Sequence, residues 1–156
     1  MATHTYTTVV TWTGDRGSGT SGYRDYGRDH VISADGPPSI PGSSDPTFRG
    51  DRDRWNPEQL LLASLSQCHM LQYLHFCADA GIIVTDYVDE ASGTMVTRAN
   101  NGRFTGAVLA PRVTVTSADV VEKALALHDD AHHACFIANS VNFPVRHEPT
   151  ILVAPR

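Results

Sequence analysis

The chain has little of what would tie it to a polyanion or a membrane. Its 12 Lys and Arg are outnumbered by 17 Asp and Glu, for a formal net charge of −5 over 156 residues. With no basic excess, the composition offers no footprint for nucleic acid or an anionic membrane surface. The opening residues, MATHTYTTVVTWTG, lack a basic region followed by an apolar run. They do not read as a secretory signal, so a cytoplasmic protein is expected. Cysteine is scarce: Cys68, Cys77 and Cys135 are all there is. An odd count in an intracellular chain argues against a structural disulfide framework and leaves redox chemistry or plain buried thiols. No CxxC pair, internal repeat or clear linker is present, and the length suits one domain over residues 1–156.

What is present reads as alternating strands and two helices. TYTTVVTWT at residues 5–13 has the Thr, Val, Tyr and Trp content of a strand, and GDRGSGTSG is a Gly-rich turn. A second strand is expected around residues 23–33. Residues 34–56 hold Pro37, Pro38, Pro41 and Pro46 and form a long loop carrying Arg49, Arg52 and Arg54. After Gly81, IIVTDYVDEASGTMV reads as strand, turn, strand, with Ser92-Gly93 near the turn. Asn100-Asn101-Gly102 marks a further turn. FTGAVLAPRVTVTS gives a strand pair or one long bent strand. Ser117 caps a second helix over about 118–133, with Val121, Leu125 and His128 on one side. CFIANSV is a short turn or helix, and PVRHEPTILVAP a closing strand. This order indicates α+β, with antiparallel sheets.

The strongest local signal is Asn56-Pro57-Glu58-Gln59. Asn56 suits the N-cap, Pro57 the first turn, and Gln59 can reach back to the cap. The helix it opens runs to about Ala80 and stops at Gly81. From Gln59 to Ala78 no residue carries a formal charge. Its Ser, Gln and His residues argue against a membrane span, so the expected helix is buried on most sides, at the centre of a domain or a dimer.

Helix geometry constrains the cysteines. Cys68 and Cys77 are nine residues apart, roughly 13.5 Å along the axis and on opposite faces. A disulfide needs Cα atoms within about 7 Å. The two cannot bridge while the helix is intact; if Cys68 has an internal partner, it is Cys135. A thiol in apolar surroundings stays protonated and inert. A nucleophilic Cys68 therefore needs a cation, and no Lys or Arg lies between Arg54 and Arg98. The donors in view are Arg24, Arg28, Arg49, Arg52 and Arg54. A carboxylate would hold such an Arg in place. Glu58, ten residues before Cys68, can border the same groove or simply complement the helix dipole.

Asn56-Pro57-Glu58-Gln59-Leu60-Leu61, followed by Ala63-Ser64-Leu65-Ser66-Gln67-Cys68, resembles the OsmC/Ohr family of organic hydroperoxide reductases. That family shows an NPE-(E/Q)-L opening and a Cys ten residues after the Glu. His132-His133-Ala134-Cys135, with residues 137–144 behind it, is similar to the family's second-Cys segment. The resemblance implies an intertwined homodimer around the long helices, with Cys68 attacking a hydroperoxide and Cys135 resolving the product as a disulfide. It implies that Glu58 pairs with a catalytic Arg, here Arg24 ahead of Arg28 and Arg49, and that an external dithiol, in one branch a lipoylated protein, is the reductant. Phe48, Trp55, Leu65 and Phe136 are then candidates to line an organic peroxide site, and no cofactor or metal is implied. The chain departs from the family at Phe136, where Pro usually follows the second Cys, and in the position of the Arg. Two other readings stand beside this one: a non-catalytic dimeric binding protein on the same fold, and a zinc site built from His128, His132, His133 and Cys135.

Overall fold

The computed structural model describes residues 1–155. Its contacts gather into two compact units, Met1–Leu60 and the chain from Leu61 onward.

In the first unit, β1 (Val9–Trp12), β2 (His30–Ser33) and β3 (Ile40–Gly42) form an antiparallel sheet in that order. The second strand is shorter than expected because residues 14–27 fold back on themselves. The Gly27 N–H donates to the Gly14 carbonyl at 2.7 Å, and Trp12 Nε1 donates to the Gly27 carbonyl at 2.9 Å. A Cβ at Gly14 would sit 2.0 Å from that carbonyl oxygen, so only glycine lets the chains close here. The long loop is ordered around Ser43. Its buried hydroxyl donates to Asp29 and accepts the Asp51 N–H.

The long helix α1 (Pro57–Asp79) starts as expected. Asn56 Oδ1 accepts the Gln59 N–H at 2.8 Å, and Gln59 Oε1 accepts the Asn56 N–H at 3.2 Å, a reciprocal capping box. Gly81, at φ +70°, ends it in the left-handed conformation that an L side chain resists. In this chain α1 buries one stripe, not most of its surface. Leu65, His69, Tyr73 and Cys77 are buried at four-residue spacing, whereas Leu71 is 60% exposed. Among the described residues no helix is long and apolar enough to cross a membrane.

The second unit has two three-stranded sheets, β4-β7-β9 and β5-β6-β8, built from β4 (Val84–Asp89), β5 (Ser92–Arg98), β6 (Asn101–Leu109), β7 (Pro111–Val115), β8 (Val145–His147) and β9 (Thr150–Val153). The pairs β4/β5, β6/β7 and β8/β9 each pass from one sheet to the other across one or two residues. Asp89 pins this corner, accepting the Ala110 N–H at 2.7 Å and the Ser66 hydroxyl. The sheets are mixed, which corrects the antiparallel expectation. β9 runs parallel to β7, and β8 parallel to β6. The cause is α2 (Val121–Ala134), which carries the chain back to the starting end of the sheet, as a parallel pair requires. Two turns also move. The left-handed residue before β6 is Ala99, at φ 52°, so Asn101 and Gly102 already belong to the strand, and Ser92-Gly93 opens β5. Ser117 caps a 3-10 turn over Ala118–Val120, accepting the Asp119 N–H at 3.2 Å, and α2 follows.

The core of this unit joins Tyr73 and Cys77 of α1, Val113 and Val115 of β7, and Ala124 and Ala131 of α2. Leu125, expected on one side of the helix with Val121 and His128, is 46% exposed; Ala124, His128 and Ala131 make the inner face. Two polar contacts lock the helices. Tyr73 Oη donates to the Ala124 carbonyl at 3.0 Å, and His69 Nε2 and His128 Nδ1 share a hydrogen bond at 3.0 Å. The two imidazole planes differ by only 6° with centroids 5.3 Å apart, so the rings lie end to end rather than face to face. The His128 face is covered by Tyr73, 3.8 Å away between centroids.

Burial, and then the neighbouring imidazoles, depress both pair members, His69 to about 4 and His128 to about 3. Their unfolded-state value is near 6.5, so below it the unfolded chain binds protons that the native state refuses. Their contribution is complete above pH 6.5 and is lost as pH falls from 6.5 toward 4, at up to about 2.7 kcal/mol per pH unit for two protons. Melting temperature against pH should fall steeply over that window, and more gently in the His69→Gln/His128→Asn variant. Separately, Asn56→Ala should cost about 1–2 kcal/mol in denaturant unfolding by removing one arm of the capping box.

Candidate functional site

Cys68 lies one residue before the locked His69, on the third turn of α1, and is half-buried. Cys135 is the C-cap of α2, where the backbone turns extended at ψ 111° and its N–H donates to the His132 carbonyl at 3.3 Å. Its Sγ accepts the Ala138 N–H at 3.4 Å, and the Cys68 thiol is near enough to act on its pKa. Cys135 is 1% exposed. Burial is the main cause that pushes its thiol up to about 11, and the Cys68 thiol beside it adds to the effect, so Cys135 is protonated at neutral pH. One thiol is thus presented to solvent while its neighbour is held back in neutral form. Cys77 is elsewhere: it sits in the core with Tyr73, where burial raises its thiol.

Of the other candidates, Phe136 is in the same unit as the cysteines and 71% exposed, while Leu65 is fully within the core. Glu58, Arg24, Arg28, Arg49, Phe48 and Trp55 are in the first unit. Glu58 Oε2 is buried and has no hydrogen-bond partner among the described residues. A carboxylate oxygen in that state calls for a cation. Arg28 is engaged within its own loop. Its guanidinium donates to the Tyr26 and Tyr23 carbonyls at 2.6 and 2.7 Å and lies 4.0 and 4.5 Å from their ring centroids. Arg54 pairs with Asp29 at 3.5 Å. Arg24 and Arg49 are exposed, and Arg49 holds a left-handed turn at φ 66° behind Phe48. Phe48 and Trp55 each keep well over a third of their surface open.

The zinc reading does not assemble. His128 is spent on His69 and Tyr73, His133 Nδ1 bonds the Asp129 carbonyl at 2.7 Å, and Cys135 faces Cys68. Among the described residues no group of three or more His, Cys, Asp or Glu side chains is arranged to hold a metal ion. What the sequence reading missed is the gathering of His69, His128, His132 and His147. His147 Nε2 bonds Asp129 Oδ1 at 2.8 Å, and its ring lies 5.6 Å from that of His69 and 5.3 Å from that of His132. The spacing of His128 and His132 was a visible signal; His69 and His147 reach them only through the fold.

Comparison with known proteins follows the same lines. No curated protein matches the chain. Among solved structures, it is similar to an OsmC-like protein of unknown function from Vibrio cholerae, with 30% identity over 95% of this chain and all of that one, at a TM-score of 0.85. It also shares a fold with an organic hydroperoxide resistance protein from Elizabethkingia anophelis, at 21% identity, TM-score 0.65 and coverage of 98% and 100%. A third, described as the organic hydroperoxide resistance protein OsmC of Legionella pneumophila, has 20% identity, TM-score 0.65 and coverage of 96% and 99%. The family model for OsmC-like proteins matches residues 50–150, which take in α1, β4 to β8, α2, Cys68 and Cys135. The chain belongs to the OsmC-like protein family.

Proposed function

We propose that this protein is a thiol-dependent peroxidase that reduces organic hydroperoxides through Cys68 and Cys135. The observation that carries the reading is the unequal pair: a half-exposed thiol with a buried, protonated one within reach. In the cycle, the Cys68 thiolate attacks the distal oxygen of the hydroperoxide and the O–O bond breaks. The alkoxide takes a proton and leaves as an alcohol, and Cys68 becomes a sulfenic acid. The Cys135 thiol then displaces the sulfenate oxygen as water, forming the 68–135 disulfide. An external dithiol of the lipoyl type reduces it by exchange and is itself left as a disulfide.

The unpartnered Glu58 carboxylate supports an Arg partner that also favours the thiolate. Arg24 remains the first candidate, since Arg28 is already saturated by its own loop. Phe136, exposed in the same unit as both thiols, supplies apolar surface suited to an organic peroxide. A homodimer fits two uncovered apolar surfaces, Val9 and Val10 on β1 and Leu71 on α1. Both lie on elements rich in β-branched or uncharged residues.

Reduced protein mixed with cumene hydroperoxide should lose two thiols rapidly and show a 68–135 disulfide by mass spectrometry. Cys68→Ser should abolish the fast phase. Oxidation no faster than that of free cysteine, or a bridge that uses Cys77, would sink the reading. Arg24→Ala should slow peroxide consumption about tenfold or more, the scale of one lost charge-assisted hydrogen bond. Full activity in that variant would remove Arg24 from the site.

A further inference from the structure

The buried imidazole pair is not explained by packing alone. His69 and His128 are both fully buried, yet His69 Nδ1 and His128 Nε2 have no hydrogen-bond partner among the described residues. The 3.0 Å bond between Nε2 and Nδ1 is therefore the one polar contact each ring makes. If α2 slides or rotates against α1, the bond breaks and two further buried nitrogens are orphaned, which costs free energy. An apolar pair at these positions tolerates such a slip. The hydrogen bond does not, because it depends on direction as well as distance.

The two positions that it ties lie on the two helices that carry the thiols. His69 follows Cys68 on α1. His128 precedes Cys135 by seven residues, two turns of α2, so both face the same way. A second contact guards the same end of α2: Asp129 holds His147 of β8, and His132, whose carbonyl accepts the Cys135 N–H, lies against His147. Groups facing the pair are thus Tyr73 from α1, Asp129 and His132 from α2, and His147 from β8.

We propose that His69 and His128 are positioning residues for the second step of the cycle, holding α2 in the register at which the Cys135 thiol meets the sulfur of Cys68. This rests on the peroxidase reading for its biological sense, but the geometry can be tested without it. Neither imidazole touches the peroxide, so the first step is independent of the pair.

Two oxidants separate the cases. Cumene hydroperoxide with a dimedone trap reports Cys68 sulfenate against disulfide. Diamide oxidises two neighbouring thiols to a disulfide while its azo group takes up two electrons and two protons, and it needs no peroxidase activity. In His128→Leu, 68–135 disulfide formation should slow about tenfold or more with both oxidants, and trapped sulfenate should rise. The rate at which peroxide is first consumed should stay within about twofold of wild type. The His69→Gln/His128→Asn pair places an amide where each bonded nitrogen stood and should recover most of the disulfide rate. Should His128→Leu fail to fold, His69→Met gives the same comparison. Wild-type disulfide rates in the folded apolar variant, or a Gln/Asn pair as slow as it, would overturn the proposal. If peroxide leaves Cys68 untouched in every protein, the peroxidase reading falls, and the diamide rates still decide the positioning role.

Discussion

The second unit depends on how one uncharged helix stripe is matched. Leu65, His69, Tyr73 and Cys77 recur every four residues on α1 and are buried together. Two of the four are polar, so burial alone would cost free energy. α2 answers each: its Ala124 carbonyl accepts from Tyr73, and its His128 bonds His69. The small residues Ala124 and Ala131 let the helix approach closely enough for both bonds to form. Apolar area supplies most of the stabilisation here, at about 25 cal/mol per Å². The directional bonds supply the register, which apolar contact does not specify.

The sheets explain why α2 arrives where it does. Strands β6 and β7 are one chain run bent at Ala110, with Asp89 and Ser66 holding the bend. After β7 the chain must return to the same end of the sheet, and α2 is the return path. β8 and β9 then pair in parallel with β6 and β7 and bend at the matching place, where the Glu148 N–H donates to the Leu109 carbonyl at 2.8 Å. His147 is the last residue of β8 before that bend, which brings its ring to Asp129. A sheet edge and a helix end therefore converge beside Cys135.

Local chemistry was legible in the sequence, and long-range geometry was not. Asn56 and Gln59 announced the capping box, Gly81 the helix end, and Ser117 a cap, because each acts through neighbours within a turn. Helix rotation alone separated Cys77 from Cys68. The direction of β8 and β9 was missed because alternation marks a strand without orienting it; only a crossover helix between paired strands does that. Which residues of α2 face inward was not legible, because that face is set by small residues and a histidine, not by its largest aliphatics. Lack of charge along α1 marked it as a helix to be covered, and one chain covers a single stripe of it. The Arg assignment stayed open for a different reason. Several arginines lie in one loop region, and which of them are consumed by carbonyls, rings and carboxylates depends on contacts such as Arg28 with Tyr23 that no spacing rule encodes.

The unequal burial of the paired thiols has its own logic. A fully exposed second cysteine would titrate and oxidise independently, and its product would compete with the disulfide. In the proposed cycle, Cys135, held neutral by burial, is a poor nucleophile toward peroxide but can still attack a sulfenic acid formed beside it, because proximity replaces intrinsic reactivity. That arrangement orders the two steps only if contact persists while Cys68 changes from thiol to sulfenic acid and gains an oxygen atom. The Cys135 segment leaves the helix there and passes through a turn, with the Asn139 N–H on the Cys135 carbonyl at 3.0 Å, into a 3-10 helix over Ala138–Ser140, so where Cys135 stands follows from where α2 ends. That placement comes from the preceding turns of α2, which two side-chain hydrogen bonds tie to α1: Tyr73 to the Ala124 carbonyl and, nearer to Cys135, His69 to His128.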